Sequence, residues 1–207
     1  RSFWITFLNK ATIKFGFPGR SFQKYILYDI TVPRSDMRFE AEAMTDLLNA
    51  VGVKTSIPLI FDLPGEIYKT DRKYVVYFTS ASAPYKCWPD ESFRQLISAL
   101  SSKYADMDHV ILEGVGGDES VQELMTGLAK KDNVFAKQID SVEATIAFIR
   151  GAELVISNDT GIRHLAIASG IRSIGIFSLV DSFTSSPFRY WPRYGGHEIA
   201  ITEHGGW

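Results

Sequence analysis

The sequence predicts an α/β protein with a doubly wound parallel sheet, preceded by part of a second α/β domain. Two observations support this fold class. From residue 74 onward, short apolar runs alternate with amphipathic helical patterns, as expected of a parallel sheet with helices on both faces. In addition, 45% of the 207 residues are hydrophobic, which is enough apolar material for one sizeable core or two small ones.

Residues 1–68 are expected to form the end of a first domain, and residues 69–207 a second domain. One clear helical pattern occurs in the first part, over residues 38–51, where apolar side chains recur at a three-to-four spacing and Gly52 follows as a stop signal. The segment Asp62-Leu63-Pro64-Gly65 has the composition of a linker. Because the chain starts at Arg1 and not at a methionine, we expect it to be part of a longer protein.

Six strands and four helices are predicted in the second domain. The strands are apolar runs bounded by turn residues, at residues 74–79, 109–112, 134–136, 154–157, 173–177 and 198–201. The helices occupy the intervening segments, at residues 90–103, 120–130, 142–150 and 160–169. Ser141 is expected to cap the third helix, and Gly170 to end the fourth.

The net charge of −2 and the single cysteine narrow the classes of function. Without a basic field, binding to nucleic acid is not expected. Cys87 cannot form an internal disulfide, which fits a reducing compartment such as the cytoplasm. No run approaches the roughly 18 apolar residues of a membrane span, so any membrane contact is expected to be peripheral.

The turn at Asp159-Thr160-Gly161 is the first candidate ligand site, because a doubly wound sheet binds its ligand beyond the carboxyl ends of its strands. Free N–H groups and the positive end of a helix dipole suit a phosphate there. Gly161 permits close approach, the Thr160 hydroxyl can donate a hydrogen bond, and His164 lies one helical turn further on. The alternative is that Asp159 or Thr160 only caps the helix and that His164 is a packed side chain. The residues alone favour neither interpretation over the other.

Two further loops carry candidate ligand residues. The loop after strand 74–79 contains Ser82 and Lys86, a donor and a point charge suited to a diphosphate. The alternative is a solvent-exposed lysine before an ordinary helix start. The loop after strand 109–112 contains Gly116-Gly117 followed by Asp118 and Glu119, whose carboxylates suit ribose hydroxyls but also suit a helix N-terminus.

The common hydrolase and ATPase signatures are absent from the sequence. There is no Gly-x-x-x-x-Gly-Lys-Ser/Thr phosphate loop, no His-Glu-x-x-His zinc motif and no Gly-x-Ser-x-Gly nucleophile motif. The four histidines are scattered without metal-ligand spacing. We therefore expect neither a metal nor a cofactor.

Three segments, in this order along the chain, carry a family resemblance. They are Ala81-Ser82 followed by Lys86-Cys87-Trp88-Pro89, then Gly116-Gly117-Asp118-Glu119, and finally Asp159-Thr160-Gly161-Ile162-Arg163-His164-Leu165. Together they resemble glycosyltransferase family 9, the ADP-heptose:lipopolysaccharide heptosyltransferases. The sequence departs from the family after Phe177, where Ser178-Leu179-Val180-Asp181 replaces the usual Gly-Pro-Thr-like turn.

The resemblance implies a two-domain GT-B fold, in which residues 1–68 end the acceptor-binding domain and residues 69–207 bind a nucleotide sugar. The family's catalytic base belongs to an N-terminal part that this chain lacks, so no catalytic residue is assigned and the fragment alone is expected to be inactive. The resemblance implies that Ser82, Lys86 and Asp159-Thr160-Gly161 surround the diphosphate. It implies that Asp118 or Glu119 lies near the ribose, and that His164 supports the same pocket.

The implied activity is the inverting transfer of a sugar, expected to be heptose, from ADP-heptose. The implied acceptor is the lipopolysaccharide inner core or another lipid-linked glycan, reached at the cytoplasmic face of the inner membrane of a Gram-negative bacterium. Two alternatives stand beside this reading. One is a non-catalytic nucleotide-sugar-binding module, and the other is a nucleotide-sugar epimerase of the same architecture.

Overall fold

The structure is a computed structural model of the chain, and it describes residues 2–18, 27–59, 61–114, 121–128, 130–179 and 186–203. Contacts divide the chain into two compact units, Arg1–Leu59 and Ile60–Trp207. Among the helices in the described ranges, none combines the length and apolar character needed to cross a membrane.

In its described residues, the first unit contains two helices and a small parallel sheet. Helices α1 and α2 span Ser2–Leu8 and Glu40–Ala50, and strands β1 and β2 span Phe15–Gly16 and Ile30–Thr31. Helix α2 confirms the helix predicted over residues 38–51. Its buried face is narrower than the predicted apolar face, since Phe39 and Ala43 are buried whereas Met44 and Leu48 are 45% and 42% exposed.

The second unit is built on a six-stranded sheet in which every strand pair is parallel. The strand order across the sheet is β5-β4-β3-β6-β7-β8. The strands are β3 (Tyr74–Phe78), β4 (Asp108–Glu113), β5 (Val134–Gln138), β6 (Leu154–Asn158), β7 (Ser173–Ser178) and β8 (His197–Thr202). This order, with the first strand at the centre and the chain winding outward in both directions, confirms the predicted doubly wound sheet.

Within the described ranges, four α-helices connect these strands: α3 (Asp90–Lys103), α4 (Gln122–Thr126), α5 (Val142–Arg150) and α6 (Gly161–Ala168). Three of them match the predicted helices to within one residue at each end. Helix α4 is much shorter than the predicted helix 120–130, because it ends at Gly127, a poor helix former whose Cα faces the Arg94 side chain. Gly170, at φ +70, follows the end of α6 as predicted.

Strand β3 is buried along its whole length, and its side chains alternate between two apolar clusters. Tyr74, Val76 and Phe78 pack with residues of α5 and α6. Val75 and Tyr77 face the opposite way and pack with α3 and α4. The sheet therefore has a core on each face, as a parallel sheet requires.

The segment before β3 belongs to the second unit. The Tyr68 ring packs against Phe148 of α5 at a centroid distance of 5.2 Å, and the Tyr68 N–H donates to the carbonyl oxygen of Ala147. Arg150 donates to the Leu63 carbonyl oxygen at 3.4 Å. The second compact unit starts at Ile60, and these contacts attach the segment before β3 to α5. The predicted domain boundary at residue 68 stays a prediction. The assignment of the two parts to acceptor and donor binding stays a prediction.

Candidate functional site

The candidate site lies where the winding of the sheet reverses. Strands β3 and β6 are neighbours, with Phe78 paired to Ser157, so the loops that follow them start side by side. The chain runs outward from β3 through β4 and β5 on one side, and from β6 through β7 and β8 on the other. A crevice opens at such a reversal, beyond the carboxyl ends of the strands, and this is where doubly wound sheets bind ligands.

Asn158 joins the two loops. Its side chain is fully buried, its Nδ2 donates to the carbonyl oxygen of Thr79, and its Oδ1 accepts from the Trp88 N–H at 3.0 Å. One side chain at the end of β6 therefore fixes both ends of the loop that carries Ser82 and Lys86. This function of Asn158 was not predicted from the sequence.

The N-terminus of α6 does not use Thr160 as a side-chain cap. Thr160 occupies the N-cap position in an extended conformation, yet its side chain makes no capping hydrogen bond. The Thr160 Oγ1 is buried and has no hydrogen-bond partner among the described residues. The first N–H groups of the helix also lack intrahelical acceptors. The capping alternative therefore fails for Thr160, whose buried hydroxyl is left unsatisfied by the described residues.

Lys86 is held at the site by Asp159. Lys86 ends a short 3-10 helix, Pro84–Lys86, and its Nζ lies 3.1 Å from the Asp159 Oδ2. The two side chains are only 17% and 11% exposed, which contradicts the alternative of a solvent-exposed lysine. In the ligand-free protein, the Asp159 carboxylate therefore forms an ion pair with the Lys86 ammonium.

A cavity of about 720 Å³ collects these groups. Six of the residues predicted for donor binding line it: Ser82, Lys86, Asp159, Thr160, Gly161 and His164. The other two, Asp118 and Glu119, lie outside the described residues. Besides Asp159, a second acidic residue lines the cavity: Glu113, the last residue of β4, which is followed by Gly114. The remaining lining residues are Phe78, Ala81, Leu112, Thr145, Ile162, Leu165 and Tyr190.

Arg163 is a second cation of the site region, and its side chain is fully buried. It lies against β7, where Gly175 leaves room for it, since a Cβ there would be 2.2 Å from the Arg163 Nε. Its Nη1 donates to the carbonyl oxygen of Tyr190, and its guanidinium lies 5.4 Å from the Phe177 ring centroid. Burial lowers the pKa of Arg163 to about 10, partly offset by Asp159, so the group remains charged at neutral pH.

His164 lines the cavity as a neutral side chain. Desolvation by the surrounding protein, together with the neighbouring charge of Arg163, lowers its pKa below the usual 6.5. Its ring makes an edge contact with the Tyr190 ring at a centroid distance of 5.5 Å. His164 is therefore suited to hydrogen bonding and packing, whereas the cation that lines the cavity at neutral pH is Lys86.

Glu113, Arg163 and Tyr190 were not among the predicted site residues. A signal existed for Glu113, because it precedes a glycine at the end of a predicted strand. Tyr190 follows β7 without a motif, and nothing near Arg163 in the sequence indicates that Gly175 accommodates it. In the described part of the chain, His, Cys, Asp and Glu side chains form no group of three that would hold a metal ion.

Solved structures share this fold. The glycosyl transferase family 9 structure from Veillonella parvula DSM 2008 has a TM-score of 0.72 at 18% identity, over 97% of this chain and 59% of that chain. E. coli heptosyltransferase WaaC with ADP has a TM-score of 0.68 at 19% identity, over 93% and 60%. E. coli ADP-heptose LPS heptosyltransferase II has a TM-score of 0.65 at 15% identity, over 99% and 66%.

The chain spans 59% to 66% of the length of these three structures. No curated protein matches it by sequence. A sequence profile described as glycosyltransferase family 9 (heptosyltransferase) matches residues 22–190, which is most of the chain. These findings confirm the predicted resemblance and the α/β fold of the GT-B type. The chain belongs to glycosyltransferase family 9, the heptosyltransferase family.

Proposed function

We propose that this chain binds a nucleoside diphosphate sugar, and that the whole protein transfers the sugar, heptose, from ADP-heptose to the lipopolysaccharide inner core or another lipid-linked glycan. The observation that carries the proposal is the meeting of three anion-binding features in one cavity. These are the Lys86 ammonium, the Thr160 hydroxyl, for which the described residues provide no partner, and the N-terminus of α6. This combination suits a diphosphate.

The diphosphate is placed at the centre of the cavity. Gly161 has no Cβ, and a Cβ there would meet no atom within 4 Å in the described part of the chain, so a phosphate oxygen can approach the backbone N–H groups. Lys86 faces the same point from the loop after β3, with Ser82 beside it. Asp159 is assigned the role of positioning the Lys86 ammonium, because its carboxylate would repel a phosphate at direct contact.

The nucleoside is placed toward β4. Glu113 lies at the cavity where β4 ends, and a carboxylate at the end of the second strand of a doubly wound sheet suits ribose hydroxyls. Leu112 and Thr145 provide apolar and methyl surface beside it for a base. Asp118 and Glu119 follow in the chain and remain predicted ribose contacts.

The proposed reaction is an inverting displacement at the sugar carbon that bears the diphosphate. Negative charge builds on the departing diphosphate, and fixed donors at this position stabilise it in the transition state. Lys86, the Thr160 hydroxyl and the first N–H groups of α6 are those donors. The base that deprotonates the acceptor hydroxyl is assigned to the N-terminal part of the whole protein, so this chain alone is expected to bind donor without transferring it.

The proposed acceptor also assigns a location. A lipid-linked acceptor is met at the cytoplasmic face of the inner membrane, so we place the protein in the cytoplasm with peripheral membrane contact. Transfer is tested with the full-length protein, ADP-heptose and a lipopolysaccharide core acceptor. Binding of ADP-heptose without any glycosylated product would instead support a non-catalytic donor-binding module.

Donor binding is tested by calorimetry on the 207-residue chain with ADP. Lys86→Ala is expected to weaken ADP binding by roughly 10- to 150-fold, because a hydrogen bond to a charged group contributes about 1.5–3 kcal/mol. The control is Lys73→Ala, which removes a lysine that precedes β3, is 72% exposed and is paired with Glu153. Lys73→Ala is expected to leave ADP affinity within about twofold of the native value. Equal affinity of the Lys86→Ala and native chains would contradict the site assignment.

A further inference from the structure

We infer that Tyr190 forms the sugar-facing wall of the donor cavity, and that Arg163 is the positioning residue that holds it there. The inference rests on the proposed donor binding and assigns the part of the ligand that meets each end of the cavity. Neither Tyr190 nor Arg163 was predicted from the sequence motifs to contact the ligand.

The lining residues follow the order of the strands along the edge of the sheet. Glu113 ends β4, Ser82 and Lys86 follow β3, Thr160 and Gly161 follow β6, and Tyr190 comes after β7. Neighbouring strands lie about 4.8 Å apart, so the cavity extends roughly 14 Å from β4 to β7. With the diphosphate at the centre and the nucleoside toward β4, the sugar extends toward β7 and Tyr190.

The backbone of Tyr190 is attached to α6 through Arg163. Tyr190 ends the 3-10 helix Pro187–Tyr190, and its carbonyl oxygen accepts a hydrogen bond from the Arg163 Nη1. The Tyr190 ring is stacked with Phe177 of β7 at 6.4 Å and meets the His164 ring edge on at 5.5 Å. Since Arg163 and Gly161 are on the same helix, the aromatic wall and the phosphate-binding N-terminus are fixed relative to each other.

Burial of Arg163 is costly, which argues against a purely packing function. Its side chain is fully buried, and its Nε and Nη2 have no hydrogen-bond partner in the described ranges. Removing a guanidinium from water with donors unsatisfied is unfavourable, whereas an apolar side chain would fill the space beside Gly175 without that cost. The hydrogen bond to Tyr190 is the contact that an apolar side chain cannot replace.

The chemistry of this end suits a neutral sugar ring. An aromatic face packs against the C–H face of a sugar, and the neutral His164 imidazole beside it can exchange hydrogen bonds with sugar hydroxyls. The wall should therefore contribute to the binding of a nucleotide sugar and contribute nothing to the binding of the nucleotide alone.

The test compares ADP with ADP-heptose by calorimetry on the same chain. Tyr190→Ala is expected to weaken ADP-heptose binding about fivefold, within the range measured for aromatic contacts, and to leave ADP affinity within twofold. Tyr190→Phe, which keeps the ring, is expected to retain the native affinity ratio. Arg163→Met should reduce the ratio as Tyr190→Ala does, and Arg163→Lys, which retains a donor, should restore part of it.

Each other outcome would contradict a specific part of the inference about Tyr190 and Arg163. Equal losses for both ligands in Tyr190→Ala would place Tyr190 at the nucleotide, and no loss for either would remove it from the site. A native ratio in Arg163→Met would remove Arg163 as a positioning residue. Failure of the native chain to bind ADP would overturn the proposed function itself, whereas native ADP binding with an unselective Tyr190→Ala overturns only the sugar-wall assignment.

Discussion

Two hydroxyl residues at helix starts differ in what their side chains do. Ser141 Oγ accepts a hydrogen bond from the Ala144 N–H at 3.1 Å and so caps α5, as predicted. Thr160 holds the equivalent position of α6, but its hydroxyl makes no such bond and lines the cavity. The same residue class at the same position stabilises a helix in one case and is left for a ligand in the other.

This difference predicts opposite effects of two substitutions. Ser141→Ala should lower the free energy of unfolding by about 1 kcal/mol, because it removes a cap, and should leave ADP affinity unchanged. Thr160→Val should leave the stability unchanged or slightly higher and weaken ADP binding by several fold, because it removes an unsatisfied hydroxyl. Urea unfolding and ADP titration measure both. A stability loss in Thr160→Val with native ADP affinity would return Thr160 to a structural function.

At this scale, much of the cavity lining was predictable. Ser82, Lys86 and Thr160 follow strand ends, and the carboxyl ends of parallel strands meet at one edge. The pairing of Lys86 with Asp159 was not predictable, because the two side chains meet only after β3 and β6 have paired. The place of Arg163 depends in the same way on Gly175, a residue in another strand.

Among the elements, the pairing of β3 with β6 is the one that builds the site, and Asn158 reinforces it. The strands themselves were predicted to within two residues, since each is an apolar run bounded by turn residues. Helix α4 was predicted too long, because its apolar pattern continues beyond Gly127 while the backbone does not. The function of Asn158 depends on its hydrogen bonds with Thr79 and Trp88, which are distant in sequence. The sequence around Asn158 therefore contains no pattern that predicts it.

Asn158→Ala is expected to lower the free energy of unfolding by about 2–3 kcal/mol, because it leaves the Thr79 carbonyl and the Trp88 N–H unsatisfied. It should also weaken ADP binding, since the loop with Lys86 loses both of these attachments.

Asn133 provides the matched control. It is also a buried asparagine with two hydrogen bonds, to the carbonyl oxygens of Ser101 and Met107, away from the cavity. Asn133→Ala should lower stability by a similar amount and leave ADP affinity unchanged. A parallel loss of ADP affinity in both variants would mean that general destabilisation, and not the loop, governs binding.

For the molecule as a whole, two buried histidines make stability depend on pH. Burial lowers the pKa of His109 and His197, and that of His197 falls to about 4. His197 accepts or donates to Ser173 Oγ at 3.0 Å, and His109 has Tyr77 and Tyr104 as partners. Both are therefore neutral in the folded protein at neutral pH.

The contribution of these neutral histidines to the free energy of unfolding should be complete above pH 6.5 and should decrease as the pH falls toward 4. In this window the unfolded chain takes up protons on these histidines and the folded chain does not, so protonation favours unfolding. His197 alone corresponds to roughly 2–3 kcal/mol over this range. Urea unfolding at intervals from pH 7.5 to 4.5 measures the slope, and His197→Gln should flatten it. An identical slope in native and variant chains would contradict the prediction.

The pairing of β3 with β6 also has a kinetic consequence. Val75 pairs with Leu154, the most distant partners in sequence among the strand pairs of this sheet, so this contact carries the largest loop-closure entropy. Pairs such as β6 with β7 involve much shorter loops and can form earlier. The donor cavity is then among the last parts of the fold to assemble. A donor that bridges the two loops would bind only the folded chain. It would therefore stabilise the native state in proportion to the logarithm of the donor concentration.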